Sequence, residues 1–254
     1  MVLYLIGIGL CDEKDITLRG LETVRKCDTI FLETYTSKLR CSIKAMESLY
    51  GKTVIAADRD LVEKDAERII EAARTRDAAF LVIGDVFSAT THTDLLLRAK
   101  EVGIKTEVIH NASVLTAIGS TGLELYKFGK TTSVPYAEKN WIPKTPYQVL
   151  ANNLALGYHT LLLLDIKAEQ ERFMTAKEAI QFLLDVEKEE QKGIFTPLTR
   201  CVACARLGCP DQKIAWGTAQ ELLAIDLGDP LHCLIVPGKM HFIEEDALTR
   251  HGLR

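Results

Sequence analysis

Residues 78–83 read Ala-Ala-Phe-Leu-Val-Ile, six apolar side chains without a polar break. The run has the length of a strand, and its lack of alternation requires that both faces be covered. Such a strand belongs inside a parallel sheet with helices packed on each side. The chain around it repeats the theme. Apolar runs predict strands over residues 2–8, 28–33 and 53–57, and residues 105–110 read as a further strand,. Longer amphipathic stretches predict helices over 15–27, 60–74, 93–102 and 112–122,. In the first of these, Ile16, Leu18, Leu21, Val24 and Cys27 recur at near-helical spacing,. Strands and helices in alternation predict an α/β architecture.

The pattern loosens over 130–136, a strand, and 136–146, a long loop. Pro135, Pro143 and Pro146 cannot sit inside regular elements without cost,. Regular elements resume at 147–156, 159–166, 175–188, 201–207, 213–216, 218–225 and 232–236. The expectation is two α/β domains with mainly parallel or mixed sheets, residues 1–112 and 113–254. The charged stretch 187–192 reads as a solvated helix end.

Charge and length narrow the function. The 254 residues hold 31 Lys and Arg against 35 Asp and Glu, a net charge of −4. That balance lacks the basic excess with which a non-specific nucleic-acid binder releases counterions. With 47% apolar and 26% charged residues the chain has the composition of a folded globular protein,. No run of 18 apolar residues predicts a membrane span,. The apolar opening lacks a basic start and a small-residue cleavage site, so it reads as a buried strand rather than a signal peptide. Seven cysteines, an odd number, predict free thiols in a reducing cytoplasm,. Cys201 and Cys204 have metal-ligand spacing, but no second pair accompanies them, and strand alternation places them on opposite faces. Buried thiols and no metal site are expected.

Several strand ends could carry chemistry. Gly7-Ile-Gly9 would let the backbone turn sharply and a ligand approach closely. A dinucleotide fingerprint would want glycine at position 12, where Asp12 stands, although Glu33 at the end of the second strand could hold a ribose hydroxyl,. A nucleotide-like ligand and a structural turn are both open readings of this loop. Asp85 follows Gly84 at the carboxyl end of the most apolar strand, where open α/β sheets bind ligands. It could accept from ribose hydroxyls or an ammonium group, or cap the next helix. Phe87-Ser-Ala-Thr-Thr-His92 is rich in hydroxyls, and Ser113 lies at a third strand–helix junction, suited to capping or to ligand contact,. The six histidines form no ligand pair, and no Ser-His-Asp set or Walker-type loop is present. No catalytic residue is assigned.

These residues fall into ordered strings: Leu3-Tyr-Leu-Ile-Gly-Ile-Gly-Leu10 with Asp15-Ile-Thr17 and Gly20-Leu21, Glu33-Thr-Tyr-Thr-Ser37, Gly84-Asp85 with Ala89-Thr-Thr-His92, Val108-Ile-His-Asn-Ala-Ser113, Leu125-Tyr-Lys-Phe-Gly129, His159-Thr160 with Asp165-Ile-Lys167, and Gly228-Asp-Pro-Leu-His232. Over essentially its whole length the chain resembles the diphthine synthases, methyltransferases of the tetrapyrrole-methylase-like class. The resemblance implies two α/β domains with the cofactor in the cleft between them, and a homodimer. It implies successive methyl transfer from S-adenosylmethionine, with S-adenosylhomocysteine as by-product. The implied acceptor is the amino group of a 3-amino-3-carboxypropyl histidine on translation elongation factor 2, in diphthamide biosynthesis. Family cofactor contacts map onto Leu10, Asp85, Ser88, Ser113, Val114, Leu164, Leu207 and His232. The chain departs from the wider class at Val86, where proline often follows Gly-Asp, and has Ser88 where relatives vary between glycine and valine. The segment after Lys167 is shorter than in some eukaryotic relatives.

Methyl transfer needs an in-line approach of a neutral amine, so proximity and orientation carry the catalysis and no triad or metal is required. A quaternary ammonium product would favour aromatic faces, for which Tyr35, Tyr136 and Trp141 are candidates. Rival readings are a nicotinamide-dependent dehydrogenase built on Gly7, Gly9 and Glu33, methylation of a small tetrapyrrole, and a non-catalytic binding module.

Overall fold

A computed structural model describes residues 1–137 and 142–252. They form two compact units, Met1–Ala117 and Ile118–Arg254. Trp141 lies outside the described residues.

The first unit is built on β1 (Val2–Gly7), β2 (Thr29–Glu33), β3 (Val54–Ala57), β4 (Ala78–Val82) and β5 (Lys105–Ile109). Their order is β3-β2-β4-β1-β5, and every pair is parallel. All five residues of β4 are buried. Its Ala78, Phe80 and Val82 enter one core with Ile69, Ile70, Leu95 and Ala99. Its Ala79 and Leu81 enter the opposite core with Val24, Met46 and Tyr50. The unbroken apolar run is thus explained by period-two side chains feeding two covered faces.

Helices α1 (Leu18–Lys26), α2 (Ile43–Tyr50), α3 (Arg59–Glu63), α4 (Glu67–Thr75) and α5 (Thr93–Glu101) supply that cover. Thr17 caps α1, its hydroxyl accepting from the Gly20 amide,. The predicted helix over 60–74 is two, α3 and α4, although the stretch holds neither glycine nor proline. The predicted helix over 112–122 is a single turn, α6 (Val114–Ala117), followed by a 3₁₀ turn at Ile118–Thr121.

The second unit holds β6 (Thr132–Val134), β7 (Thr160–Leu164), a small hairpin of β8 (Ile166–Lys167) and β9 (Arg172–Phe173), then β10 (Arg200–Ala205), β11 (Lys213–Thr218) and β12 (His232–Val236). Its five-stranded sheet has the order β11-β10-β12-β7-β6. Only the β6–β7 pair of it is parallel, so this sheet is mixed where the first is wholly parallel. Helices α7 (Thr145–Ala155), α8 (Ala176–Glu190), α9 (Ala219–Leu223) and α10 (Phe242–Thr249) complete it. Pro146 lies in the first turn of α7 rather than in a loop, where its missing N–H costs nothing. Thr175 and Thr218 open α8 and α9 with capping boxes,.

The end of α8 is more than solvated charge. Glu187 accepts from the buried Tyr147 hydroxyl at 2.7 Å and from the Gly193 and Phe195 amides at 2.6 and 2.8 Å. Cys27, Cys41, Cys201, Cys204 and Cys233 are free thiols, whereas Cys11 and Cys209 are not free. Cys201 enters the core of the second unit, and Cys204 faces Cys233 across β10 and β12. Their hydrogen bond and burial hold the Cys204 thiol well above its ordinary pKa. Among the described residues no group of three or more His, Cys, Asp or Glu is placed to hold a metal ion, and no helix is long and apolar enough to cross a membrane.

Candidate active site

In the first unit β4, β1 and β5 lie side by side, and the loops leaving their carboxyl ends meet. Gly9 and Gly84 form a bridge, with Gly84 N donating to Gly9 O at 2.7 Å and Gly9 N to Gly84 O at 3.3 Å. A Cβ on Gly7 would stand 2.7 Å from Gly84 O, and one on Gly9 would stand 2.3 Å from the Asp15 Cβ. Glycine is therefore required at both positions by close packing of the chain on itself. Asn111, at the end of β5, donates from Nδ2 to Gly7 O and Asp15 O, each at 3.0 Å.

The amides of the glycine loop are already taken. Leu10 N and Cys11 N both donate to Asp15 Oδ2, at 3.0 and 2.7 Å. In a dinucleotide site such amides face the pyrophosphate. Here the chain's own carboxylate occupies that role, so the loop offers nothing to an anion. Glu33 cannot serve a ribose either. It is fully buried and accepts from the Tyr35 and Thr36 amides at 2.8 and 2.6 Å and from the Thr36 hydroxyl at 2.5 Å. Burial raises its pKa, but the His92 ring and these hydrogen bonds outweigh that and hold it below the ordinary value. The dehydrogenase reading loses both its supports.

Asp85 is placed differently. It does not cap α5, whose N-cap is His92. Oδ1 accepts from the Phe87 amide at 3.1 Å, and Oδ2 from the Asn111 amide at 3.1 Å, with His110 Nδ1 at 2.8 Å. Partial burial would raise its pKa, but the two amides and the His110 ring prevail and keep it low. The result is an ionised carboxylate at the ligand end of a parallel sheet, anchored from the neighbouring strand. Leu10, Ser88 and Ser113 stand on these loops, and Val114 opens α6 directly after Ser113. Ser88 Oγ lies 3.5 Å from Asp85 Oδ1. Ser113 is buried and caps α6, its hydroxyl accepting from the Leu115 amide at 3.2 Å.

The second unit places the other three expected residues at one end of its neighbouring strands β10, β12 and β7. Leu164 ends β7, His232 begins β12 opposite Ala205, and Leu207 lies just past β10. Beside His232 is a cavity of about 80 Å³ lined by Thr175, Ala176, Ala203, Leu222 and Leu227. His232 Nδ1 accepts from the Ala176 amide at 3.2 Å, so Nε2 carries the proton and donates toward the Gly228 and Asp229 carbonyls at 3.0 and 3.1 Å,. Burial lowers its pKa and keeps the ring neutral. The aromatic candidates fare less well. Tyr35 is 3% exposed, and the Tyr136 ring already carries the Arg172 guanidinium 3.6 Å from its centroid.

The family model for Tetrapyrrole (Corrin/Porphyrin) Methylases matches residues 2–223. The chain belongs to the tetrapyrrole methylases. Among relatives of this methylase, the diphthine methyl ester synthase of Schizosaccharomyces pombe is 47% identical, the match covering 98% of this chain and 94% of that protein. The diphthine synthase of Methanococcus maripaludis is 44% identical, with 97% of each covered. A crystal structure of a diphthine synthase superimposes with a TM-score of 0.91 at 36% identity, covering 99% of this chain and 96% of that one. The methylase is thus a methyltransferase of the diphthine synthase group. Asp15, His110 and Arg206 organise the strand ends without having been singled out by sequence chemistry. Asp15 and His110 stand in the strings quoted for the resemblance, whereas Arg206 is a lone cation in an apolar strand end.

Proposed function

We propose that this methylase transfers methyl groups successively from S-adenosylmethionine to the amino group of the 3-amino-3-carboxypropyl histidine of translation elongation factor 2. It would work in the cytoplasm, as a homodimer, within diphthamide biosynthesis. The bound sulfonium supplies an electrophilic methyl group and leaves as the neutral thioether S-adenosylhomocysteine. The carrying observation is the character of the strand-end loops in the first unit. Their amides are filled by Asp15, and the acceptor they present is the ionised Asp85. Such an edge repels phosphate and suits a ligand that brings hydroxyl and ammonium donors and a positive charge. We assign Leu10, Asp85, Ser88, Ser113 and Val114 of the first unit, and Leu164, Leu207 and His232 of the second, as cofactor contacts. Asp85 accepts from the donor's hydroxyl or ammonium hydrogens, and the loops around it fix position and keep water out. Methyl transfer to a neutral amine requires only orientation.

Incubation with S-adenosylmethionine and elongation factor 2 carrying the unmethylated side chain, read by intact-mass spectrometry, tests the proposal. Three methyl additions are expected on nitrogen, and a fourth where a carboxylate ester is also made. An unchanged factor mass, with methyl transfer to a precorrin instead, would replace this reading with tetrapyrrole methylation.

A further inference from the structure

Arg206 directly follows β10. It is 6% exposed, and its φ of +53° puts it in the left-handed region. A residue with a side chain stays there only when its surroundings hold it. The guanidinium is fastened on several sides. Nε donates to Asp211 Oδ2 at 2.9 Å, Nη1 to the Leu227 carbonyl at 3.0 Å and to the Asp229 carbonyl, and Nη2 to the Asp211 carbonyl at 3.2 Å. The Arg206 amide donates to the Leu231 carbonyl at 2.8 Å. One side chain thus ties the β10–β11 turn to loop 227–231, which leads into β12.

Taking a guanidinium out of water is costly, and an apolar residue of similar size would often fill such a place at least as stably. What the guanidinium adds is a planar fork of donors with fixed directions. The loop it grips ends in His232, whose Nε2 hydrogen points to the Gly228 and Asp229 carbonyls of the same loop. The Asp229 carbonyl is shared by the Arg206 guanidinium and the His232 ring. On the other side, Leu207 is the next residue in the chain after Arg206. Both neighbours belong to the proposed cofactor contacts.

We infer that Arg206 is a positioning residue of the cofactor site, clamping loop 227–231 so that Leu207 and His232 are held for S-adenosylmethionine. The inference rests on the cofactor reading above. Lysine keeps the charge but replaces the fork with a point donor, so Arg206→Lys breaks the clamp while preserving the electrostatics.

Calorimetric titration of S-adenosylmethionine into the full chain tests it, at a temperature where circular dichroism shows every variant folded. Arg206→Lys should raise Kd about tenfold or more, with Asp211→Asn, whose site is half exposed, giving a smaller rise of the same kind. KM for S-adenosylmethionine should rise in step, while kcat at saturating donor and KM for the elongation factor stay within about twofold of wild type. Dilute guanidinium ion should restore affinity to Arg206→Ala and leave wild type unchanged. Asn153→Ala is the control for stability alone. Asn153 ties Lys130 to Thr160 in the same unit, so this variant should melt earlier with its Kd unchanged. Wild-type affinity in folded Arg206→Lys, or an equal loss in Asn153→Ala, would overturn the inference. Failure of wild type itself to bind S-adenosylmethionine would instead bring down the cofactor reading, and the inference with it.

Discussion

Glu33 and Asp85 follow from two neighbouring strands of one parallel sheet, β2 and β4, and both are carboxylates at the carboxyl end where such sheets bind ligands. The molecule uses them in opposite ways. The close hydrogen bonds to Glu33 come from the two or three residues after it, the buried His92 ring stands 3.8 Å away, and the side chain is sealed from solvent. Asp85 takes the Phe87 amide and, at 3.5 Å, the Ser88 hydroxyl from its own turn, and the Asn111 amide and His110 ring from just past β5, and it keeps 9% of its surface exposed. A carboxylate consumed by its own loop is a fold element. One anchored in addition from the end of a neighbouring strand is the one we propose as the ligand acceptor. Position at a strand end separates neither from the other; the origin of the hydrogen bonds does.

The comparison can be broken by mutation. The largest effect is expected from Glu33→Ala, which strands the Tyr35 and Thr36 amides in a buried turn. A loss of about 3 kcal/mol in urea unfolding follows from two unsatisfied donors, with little change in cofactor affinity once folded. A stability cost below about 1 kcal/mol would mean that Glu33 is not a fold element.

Acid unfolding sharpens the same contrast through the direction of the pKa shifts. His159 and His232 are held below their ordinary 6.5, chiefly by burial. Their neutral forms stabilise the fold fully above that pH, and this contribution fades as pH falls below it. Glu33 and Asp85 are held below their ordinary 4.5 and 3.8, and Glu244 is held at about 2. Their stabilisation is complete above those ordinary values and is lost as pH falls through the lowered ones. Melting temperature should therefore fall in two stages on acidification, with the second stage reduced in a Glu244→Gln background. A melting temperature that rises from pH 7 to pH 4 would contradict these directions.

The smallest effect is expected at Ser113. Its hydroxyl caps α6, so Ser113→Ala should cost about 1 kcal/mol of stability and weaken donor affinity by less than about threefold. A tenfold loss of affinity at unchanged stability would make its hydroxyl, rather than its backbone, the cofactor contact.

Much of this was legible in the sequence, and the reasons are physical. β1, β2 and β4 announced themselves because strands covered on both faces need nearly continuous apolar side chains,. α2 and α10 did not, being eight residues each with only two buried positions, too few to set a helical period. The antiparallel pairing of β10 with β11 was not separable from alternating units, because residues 206–212 between them are too long a connection for a two-residue hairpin signature,. Asp85 could be proposed from its place after an apolar run. The part Asn111 plays could not, since its side-chain hydrogen bonds to Gly7 O and Asp15 O span 104 and 96 positions of sequence and exist only once β1 and β5 are adjacent. Glu33 misled for the same reason: strand-end position was visible, and the inward turn of Tyr35 and Thr36 was not.

The most direct test of the account is calorimetric titration of S-adenosylhomocysteine into wild type, Asp85→Ala and Glu33→Gln under one buffer. The account predicts stoichiometric binding by wild type, affinity weakened about tenfold or more in folded Asp85→Ala, and near wild-type affinity in Glu33→Gln. Equal affinity in Asp85→Ala and wild type, or a loss confined to Glu33→Gln, would contradict it.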